Sequence, residues 1–357
     1  MRDFLRGGKM WATVAAVAIT VTGLAAGYSA ASSNPALGHT AKTKVTKIAI
    51  ALPAKPLDYG WNQQGLNAAK AVASSFGASL DTVSNIGYNN TQSILSQLAQ
   101  SGAKFIIAHA SGYDTAARAV AVRYKVPVIT YDIPTELVPG LVSNITTSAQ
   151  QGGYLAGILA AKTTKTDTVG IVVSANDTNW FEMSGGFAAG VKSINPHIKV
   201  LFAVIGPASY DDSAGGKRVV TTLIAANADV IFGMGDDASF GYLQGISTAK
   251  ASHKVWYIGD IGNMGPIDKQ HVLLSSELWS FTNAFTQAVK DIQNGTYGKH
   301  GYNLDLKNGG ISLLKTSYIS ASVWAQIQTA RSKIISGAIK VPDTTTLSAV
   351  KRIVASA

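Results

Sequence analysis

From residue 44 onward, short apolar runs rich in β-branched residues alternate with longer segments whose apolar positions recur at helical spacing. This alternation predicts βαβ units built around a parallel sheet. The apolar runs are continuous, which is typical of strands that helices cover on both faces. The predicted strands are residues 47–52, 79–83, 105–108, 126–131, 169–173, 200–204, 230–232 and 255–258. The predicted helices are residues 61–76, 90–101, 114–123, 148–163, 181–194, 211–227 and 238–251.

This series occurs twice, over residues 47–131 and 169–258, and each half contains four predicted strands and three intervening helices. Residues 132–147 and the helix after them join the halves. A later strand at 272–275, a helix at 281–293, a short run at 310–314 and a helix at 322–336 predict further crossings between the halves. We therefore predict an α/β fold of two doubly wound parallel-sheet lobes joined by a multi-strand hinge. Residues 44–135 form lobe 1, residues 136–275 form lobe 2, and parts of 276–357 complete each lobe.

Two lobes of this kind hold their ligand at the carboxyl ends of the strands, where the lobes face each other. The segments that follow the predicted strands are aromatic and acidic. Taken singly, each of these residues is better explained as a packing residue or a helix cap. Together they indicate a flat ligand stacked between rings and hydrogen-bonded at its polar edge. The candidate ligand-binding residues are Asp58, Trp61, Asn62, Tyr113, Asp132, Trp180, Phe181, Asp236, Asp260 and Trp279.

The amino-terminal segment predicts export. Arg2, Arg6 and Lys9 precede an uncharged apolar stretch at 11–27, and the small residues at 29–31 suit signal peptidase. We predict a signal peptide over residues 1–31 and a linker over 32–43, with an uncleaved membrane anchor as the alternative.

The composition of the chain excludes several other classes of function. The chain of 357 residues has a net charge of +10, but its basic residues are scattered singly, which argues against nucleic-acid binding. It contains no cysteine, which excludes disulfides, thiolate metal sites and lipid attachment at cysteine. The six histidines show no metal-ligand spacing, and no serine lies in a nucleophile elbow. We expect no cofactor and no metal, and we interpret His109 as a core or rim residue.

Several motifs resemble the basic membrane protein family. They are Asp58-Tyr59-Gly60-Trp61-Asn62, Gly153-Tyr154-Leu155-Ala156-Gly157, Gly186-Phe187 with Ala189-Gly190, and the closing segment at 335–342. The resemblance extends from about residue 47 to residue 342, most of the chain beyond the predicted signal peptide. It implies the type I periplasmic-binding-protein architecture and the function of an extracytoplasmic substrate-binding protein of an ABC importer. Characterised members of that family take up purine nucleosides or nucleobases.

The resemblance also implies roles for the candidate residues. Trp61 occupies the position of the family's base-stacking aromatic residue, with Asp58 and Asn62 as polar contacts beside it. The loops that carry Asp132, Asp236 and Asp260 correspond to the family's polar ligand-binding loops. Trp180 or Phe181 corresponds to the wall on the opposite side of the ligand.

Two positions depart from the family pattern. Trp279 stands where nucleoside-binding members have a lysine that meets the sugar, which favours a free base. Tyr28 stands where lipoprotein members have the acylated cysteine.

The sequence thus predicts a non-enzymatic receptor that binds a purine base or nucleoside and delivers it to an ABC permease. We expect a monomer without nucleic-acid partners, located in the periplasm or at the cell surface and not linked to lipid through cysteine. One alternative is a receptor of the same fold for a sugar or another small molecule. The other is an exported nucleoside-processing α/β enzyme that uses carboxylates such as Asp236 and Asp237.

Overall fold

Two six-stranded sheets form the framework of the structure, a computed structural model that describes residues 44–355. The strands are β1 (Lys47–Ala51), β2 (Ser79–Val83), β3 (Phe105–Ala108), β4 (Val128–Tyr131), β5 (Val142–Thr147), β6 (Thr168–Val173), β7 (Lys199–Val204), β8 (Val230–Met234), β9 (Trp256–Gly259), β10 (Leu273–Trp279), β11 (Tyr302–Leu304) and β12 (Ile311–Leu313). The helices are α1 (Trp61–Phe76), α2 (Thr91–Gln100), α3 (Asp114–Tyr124), α4 (Ala149–Thr163), α5 (Thr178–Ile194), α6 (Ser213–Ala225), α7 (Ala238–Thr248), α8 (Thr282–Asn294), α9 (Ala321–Ile335) and α10 (Leu347–Ala355). The predicted signal peptide and linker lie outside the described residues.

Both sheets have the same strand order. It runs β2, β1, β3, β4, β5, β11 in lobe 1 and β7, β6, β8, β9, β10, β12 in lobe 2. Every pairing is parallel except that of β12, which lies antiparallel to β10 at the sheet edge. The predicted fold class of two doubly wound lobes is therefore confirmed. Within residues 44–355, no helix is long and apolar enough to span a bilayer.

Lobe 1 contains two strands that the sequence pattern did not reveal, β5 and β11. Residues 132–147 were expected to be a connector, but β5 pairs with β4 and extends the first sheet beyond residue 135. Its polar residues hid it from a search for apolar runs. Asn144 Nδ2 donates to Thr130 Oγ1 at 3.1 Å and Ser143 Oγ donates to the His300 carbonyl at 2.7 Å, so each polar side chain has a buried partner, although Asn144 Oδ1 has none.

The chain passes between the lobes three times, from β5 to α4, from β10 to α8 and from β11 to β12. These crossings are bonded to one another. Ser148 N–H donates to the Leu304 carbonyl at 2.8 Å, and Ser280 N–H donates to the Gly310 carbonyl at 2.8 Å. The predicted multi-strand hinge thus consists of three crossing segments that are hydrogen-bonded to one another next to the cleft.

Glycines allow α4 and α5 to pack with their backbones in contact. A Cβ atom on Gly157 would lie 2.1 Å from the Phe187 carbonyl oxygen, and one on Gly186 would lie 2.1 Å from the Gln150 carbonyl oxygen. Backbone atoms cannot yield to such an overlap. The glycine motifs on which the family resemblance rests in this region therefore fix the position of α5, whose first turn carries Trp180 into the cleft.

Candidate functional site

A cavity of about 130 Å³ lies between the lobes, at the carboxyl ends of the strands. An engineered apolar cavity of about 150 Å³ is known to hold benzene, so this space suits one small ring system. Its wall consists of Pro53, Trp61, Tyr88, Ala110, Ser111, Asp177, Asn179, Trp180, Tyr210, Asp236, Ile261 and Trp279. Five of these side chains are aromatic and none is basic. The cavity is therefore a ring-lined, acidic compartment.

Trp61 is the best-supported ring of the cavity wall. Its indole stacks on the imidazole of His109 with centroids 4.5 Å apart and planes inclined by 21°. Tyr131 and Phe281 contact it edge-on, at centroid distances of 5.0 and 5.3 Å. His109 itself is held between Tyr131 Oη, 2.6 Å from Nδ1, and the Trp61 carbonyl, 3.0 Å from Nε2. The Trp61 ring is thus fixed before any ligand enters.

His109 is fully buried, as its interpretation as a core residue predicts. Burial lowers its pKa to about 3, against a hydrogen bond to the Trp61 backbone that acts in the opposite direction. The imidazole is therefore neutral at physiological pH and serves as an uncharged backing for the indole.

Two of the three indole N–H groups of the cavity wall donate to protein acceptors. Trp61 Nε1 donates to the His109 carbonyl at 3.0 Å, and Trp279 Nε1 donates to Glu277 Oε1 at 2.8 Å. Because these two donors are occupied, Trp61 and Trp279 offer ring faces and carbon edges to a ligand rather than hydrogen bonds.

Asp58 and Asn62 form the start of α1 rather than the cavity wall. Asp58 accepts hydrogen bonds from the backbone N–H groups of Gly60, Asn62 and Gln63 at 3.1, 2.8 and 3.0 Å, and from Asn62 Nδ2 at 2.8 Å. The Asn62 side-chain oxygen accepts from Ala54 N–H at 3.2 Å. Both side chains are buried and fully engaged, so they hold Trp61 in place from behind.

Asp132 takes part in a bridge between the lobes. Asn179 Nδ2 donates to Asp132 Oδ2 at 3.3 Å, and Asn179 Oδ1 accepts from Thr147 at 2.7 Å. Ser111, which lines the cavity, also donates to Asp132. Across the cleft, Tyr59 of lobe 1 lies so close to Gly262 of lobe 2 that a Cβ atom there would overlap the Tyr59 carbonyl. The two lobes therefore touch around the cavity, in a closed arrangement.

The carboxylates around the cavity have no cationic partner among the described residues. Burial, reinforced by the charges of Asp58 and Asp260, raises the pKa of Asp236 well above its usual range. Burial also raises the pKa of Asp260 well above that range, although hydrogen bonds from Gly235 and Trp180 oppose the shift. The pKa of Asp177 rises to about 6 because of burial and the nearby charge of Asp132. The cavity is thus short of positive charge.

The wall joins four of the ten candidate residues, Trp61, Trp180, Asp236 and Trp279. Asp132 does not line the cavity but is hydrogen-bonded to Ser111 and Asn179 of the wall. Asp260 is buried next to Ile261, which lines the cavity. Tyr113 is fully buried behind Tyr88, with ring centroids 5.5 Å apart, and donates to the Gly87 carbonyl. Phe181 packs in the hydrophobic core, so the second wall comes from its neighbour Trp180.

Sequence reasoning missed Tyr88, Asp177, Asn179 and Tyr210. Tyr88 follows β2 and Tyr210 follows β7, which are equivalent strands of the two lobes. The rule that ligands meet the loops after strands covers both loops, and applying it to every strand would have found them. Asp177 is the N-cap of α5, whose side chain accepts from the N–H groups of Asn179 and Trp180.

Within residues 44–355, no group of three or more His, Asp or Glu side chains is arranged to hold a metal ion. The carboxylates that surround the cavity are spread over separate loops, and those with hydrogen bonds accept them from backbone, amide and hydroxyl donors.

Comparison with known proteins identifies the family. Residues 45–345 match the model of the Bmp family, described as ABC transporter substrate-binding protein PnrA-like. This match confirms the resemblance to the basic membrane proteins. The family description also confirms the prediction of a binding protein rather than an enzyme.

Similar chains include the basic membrane protein A2 of Borrelia garinii, 27% identical over 84% of this chain and 88% of that protein. The ABC transporter nucleoside-binding protein BmpA of Lactococcus lactis is 27% identical over 56% of this chain. A CD4+ T-cell-stimulating antigen of Listeria monocytogenes is 29% identical over 54% of this chain. The matched segments span only 60% and 57% of the Lactococcus and Listeria proteins.

Solved structures share the fold at low sequence identity. A solute-binding protein of an ABC transporter system from Aeropyrum pernix superposes with a TM-score of 0.73 at 19% identity, over 87% of this chain and 96% of that one. A carbohydrate transporter solute-binding protein from Agrobacterium radiobacter, in complex with D-arabinose, has a TM-score of 0.58 at 19% identity, over 80% of this chain and 98% of that one.

Proposed function

Because this chain belongs to the Bmp family of PnrA-like ABC transporter substrate-binding proteins, we propose that it captures a purine base or nucleoside between its lobes and presents it to a membrane permease. The observation that carries this proposal is the support of Trp61. One face of its indole is covered by His109, three further rings contact its edges, and the ring borders the cavity. A rigid aromatic platform of this kind favours a flat heterocycle.

The lobes act as a clamp in this proposal. Trp61 belongs to lobe 1, whereas Trp180 and Asp236 belong to lobe 2, so a ligand contacts both walls only when the lobes are closed. The bonded crossings provide the hinge for that closure. A ligand that stabilises the closed form creates the surface that a permease distinguishes from the open form.

The cavity volume favours the base over the nucleoside. About 130 Å³ holds one ring system, and Trp279 occupies the position where a sugar-contacting lysine was expected. The Lactococcus relative is named nucleoside-binding, so a nucleoside remains within the proposal. A sugar is the second candidate, supported by the D-arabinose complex of the Agrobacterium protein with the same fold.

A thermal-shift series with refolded, ligand-stripped protein tests the proposal. A ligand at 100 times its dissociation constant stabilises the folded state by about 2.7 kcal/mol, which gives a readily measured shift. We expect adenine, hypoxanthine or their nucleosides to raise the melting temperature and D-arabinose to leave it unchanged. Released base should be absent after incubation with a nucleoside, because the protein binds without catalysis.

The proposal includes export of a mature chain that starts near Ala31 or Ser32 and is not acylated. Its basis is the positively charged start, the uncharged stretch and the small residues at 29–31. Amino-terminal sequencing of the native protein decides this point, because recovery of Met1 would indicate an anchored form instead.

A further inference from the structure

We infer that the cavity binds purines with a positively charged ring system in preference to neutral purines. This inference rests on the proposed function and narrows it to a ligand class. Three features of the cavity wall support it. Aromatic rings line the cavity, two carboxyl groups there have oxygens without a protein partner, and carboxylates already occupy the helix N–H groups that could bind an anion.

The aromatic wall is suited to a cation. Trp61 and Trp279 have their N–H groups occupied by protein acceptors, so they meet the ligand with electron-rich faces and carbon edges, and Trp180 adds a third indole to the wall. Tyr88 and Tyr210 complete the enclosure from the two equivalent loops. The face of an aromatic ring attracts a positive charge through its quadrupole, and the attraction grows when water is excluded. Several such faces around one small cavity form an aromatic cage.

Two carboxylates of the wall have free oxygens. The Asp236 side chain accepts no hydrogen bond and forms no ion pair with any residue of 44–355. Asp177 uses Oδ1 to cap α5, at 2.9 Å from Asn179 N and 3.3 Å from Trp180 N, and its Oδ2 has no such partner. Both residues are half-buried and line the cavity, so a positive group on a bound ligand would lie against carboxyl oxygens that no protein cation neutralises. No wall residue is basic, so the ligand is the remaining source of that charge.

The same site rejects anions. A helix amino terminus ordinarily binds phosphate through its free N–H groups. Here the first turns of the two helices that border the cavity, α1 and α5, are capped by Asp58 and Asp177. Their donors are therefore occupied by protein carboxylates. Burial and the charges of Asp211 and Asp58 raise the pKa of Asp237 at the cleft rim, against the smaller opposing effect of Lys55. Lys55 is exposed and does not line the cavity.

A matched pair of ligands tests the inference. 1,9-Dimethyladenine is protonated at neutral pH, whereas its isomer N6,9-dimethyladenine is neutral, and both are the size of a base. Calorimetric titration of the refolded, ligand-stripped protein should show the protonated isomer binding at least about tenfold more tightly. Asp236→Asn should remove most of that preference, measured as the ratio of the two dissociation constants for the same variant. Asp167→Asn, at an exposed carboxylate remote from the cavity, is the control and should leave the preference intact.

The possible failures are distinguishable. If adenine and the neutral isomer bind but the protonated isomer binds no more tightly, this inference is overturned and the proposed function stands. The same holds if Asp236→Asn weakens both isomers equally. If neither isomer nor any natural purine binds, the proposed function fails, and this inference fails with it.

Discussion

The imidazole of His109 lies nearly parallel to the indole of Trp61, with 4.5 Å between the ring centroids. His109 is neutral and fully buried, and its two nitrogens are held by Tyr131 and by the Trp61 backbone. The ring that borders the cavity therefore cannot turn without disturbing the core of lobe 1. The affinity of the site should depend on this preformed platform.

Truncation of the platform tests its role directly. Trp61→Ala should weaken binding of a purine by about 2–3 kcal/mol, because buried area and stacking are lost together. Trp61→Phe should retain most of the affinity, because a smaller ring still stacks. Trp256→Phe, at the amino end of β9 beneath Lys254, serves as the control for a general effect of tryptophan replacement. Normal purine affinity in a folded Trp61→Ala variant would refute the stacking role.

Gly65 allows α1 to pack directly against His109, the residue that supports the Trp61 ring. A Cβ atom at this position would lie 2.1 Å from His109 Nε2, in the space between the helix and the imidazole. Gly65→Ala should therefore displace His109, lower the free energy of unfolding by about 1–3 kcal/mol and weaken ligand binding. Ser74→Ala, at an exposed position of the same helix, is the control. Denaturant unfolding of both variants checks the prediction, and equal stabilities would contradict it.

Buried carboxyls make the stability of the ligand-free protein depend on pH. Burial and the charge of Asp343 raise the pKa of Glu182 from 4.5 to about 8, and burial raises that of Asp177 to about 6. The folded protein keeps protons there that the unfolded chain has released. Its free energy of unfolding should fall as the pH rises from about 4.5 to 8. His109 acts oppositely at acid pH, because its pKa falls from 6.5 to about 3 on folding.

Unfolding titrations across this range measure the effect. Glu182→Gln should reduce the slope by at most about 1.4 kcal/mol per pH unit, because one proton is removed from the linkage. Glu136→Gln, on an exposed residue near Arg118, should leave it unchanged. A stability that rises steadily from pH 4.5 to 8 would show that these carboxyls ionise normally in the folded protein.

The bridge from Asn179 to Asp132 and Thr147 should stabilise the closed arrangement. Asn179→Ala removes both hydrogen bonds, and we expect the affinity for a purine to fall by about 1–2 kcal/mol. Small-angle scattering of the ligand-free variant should show a larger radius of gyration than that of the parent protein. Thr146→Ala, which loses an exposed bond to Asn303, is the comparison. An unchanged radius and affinity would exclude a role for the bridge in closure.

The sequence predicts the fold well because both lobes repeat one hydrophobic pattern. β2 and β3 begin and end at the predicted residues. The pattern fails at β5, where Ser143 donates to the His300 carbonyl far along the chain and Asn144 Nδ2 donates to Thr130 on β4. The helix α10 also escaped prediction. Its one fully buried residue is Val350, and it is held on lobe 2 by tertiary contacts that include Lys192.

The site was harder to predict because adjacent residues face different surroundings. Trp180 and Phe181 are neighbours in α5, yet one borders the cavity and the other packs in the core. Spacing cannot distinguish a cap such as Asp58 from a free carboxylate such as Asp236, since both follow a strand and precede a helix. The two roles are distinguished only by the hydrogen-bond partners that each carboxyl oxygen has in the folded structure.

The central claim is that the cavity holds a flat heterocycle on Trp61, and calorimetric titration of refolded, ligand-stripped protein with adenine, hypoxanthine and D-arabinose tests it most directly. The account predicts saturable binding of at least one purine with one site per chain, quenching or enhancement of tryptophan fluorescence, and no heat with D-arabinose. Binding of D-arabinose without binding of any purine would contradict the claim.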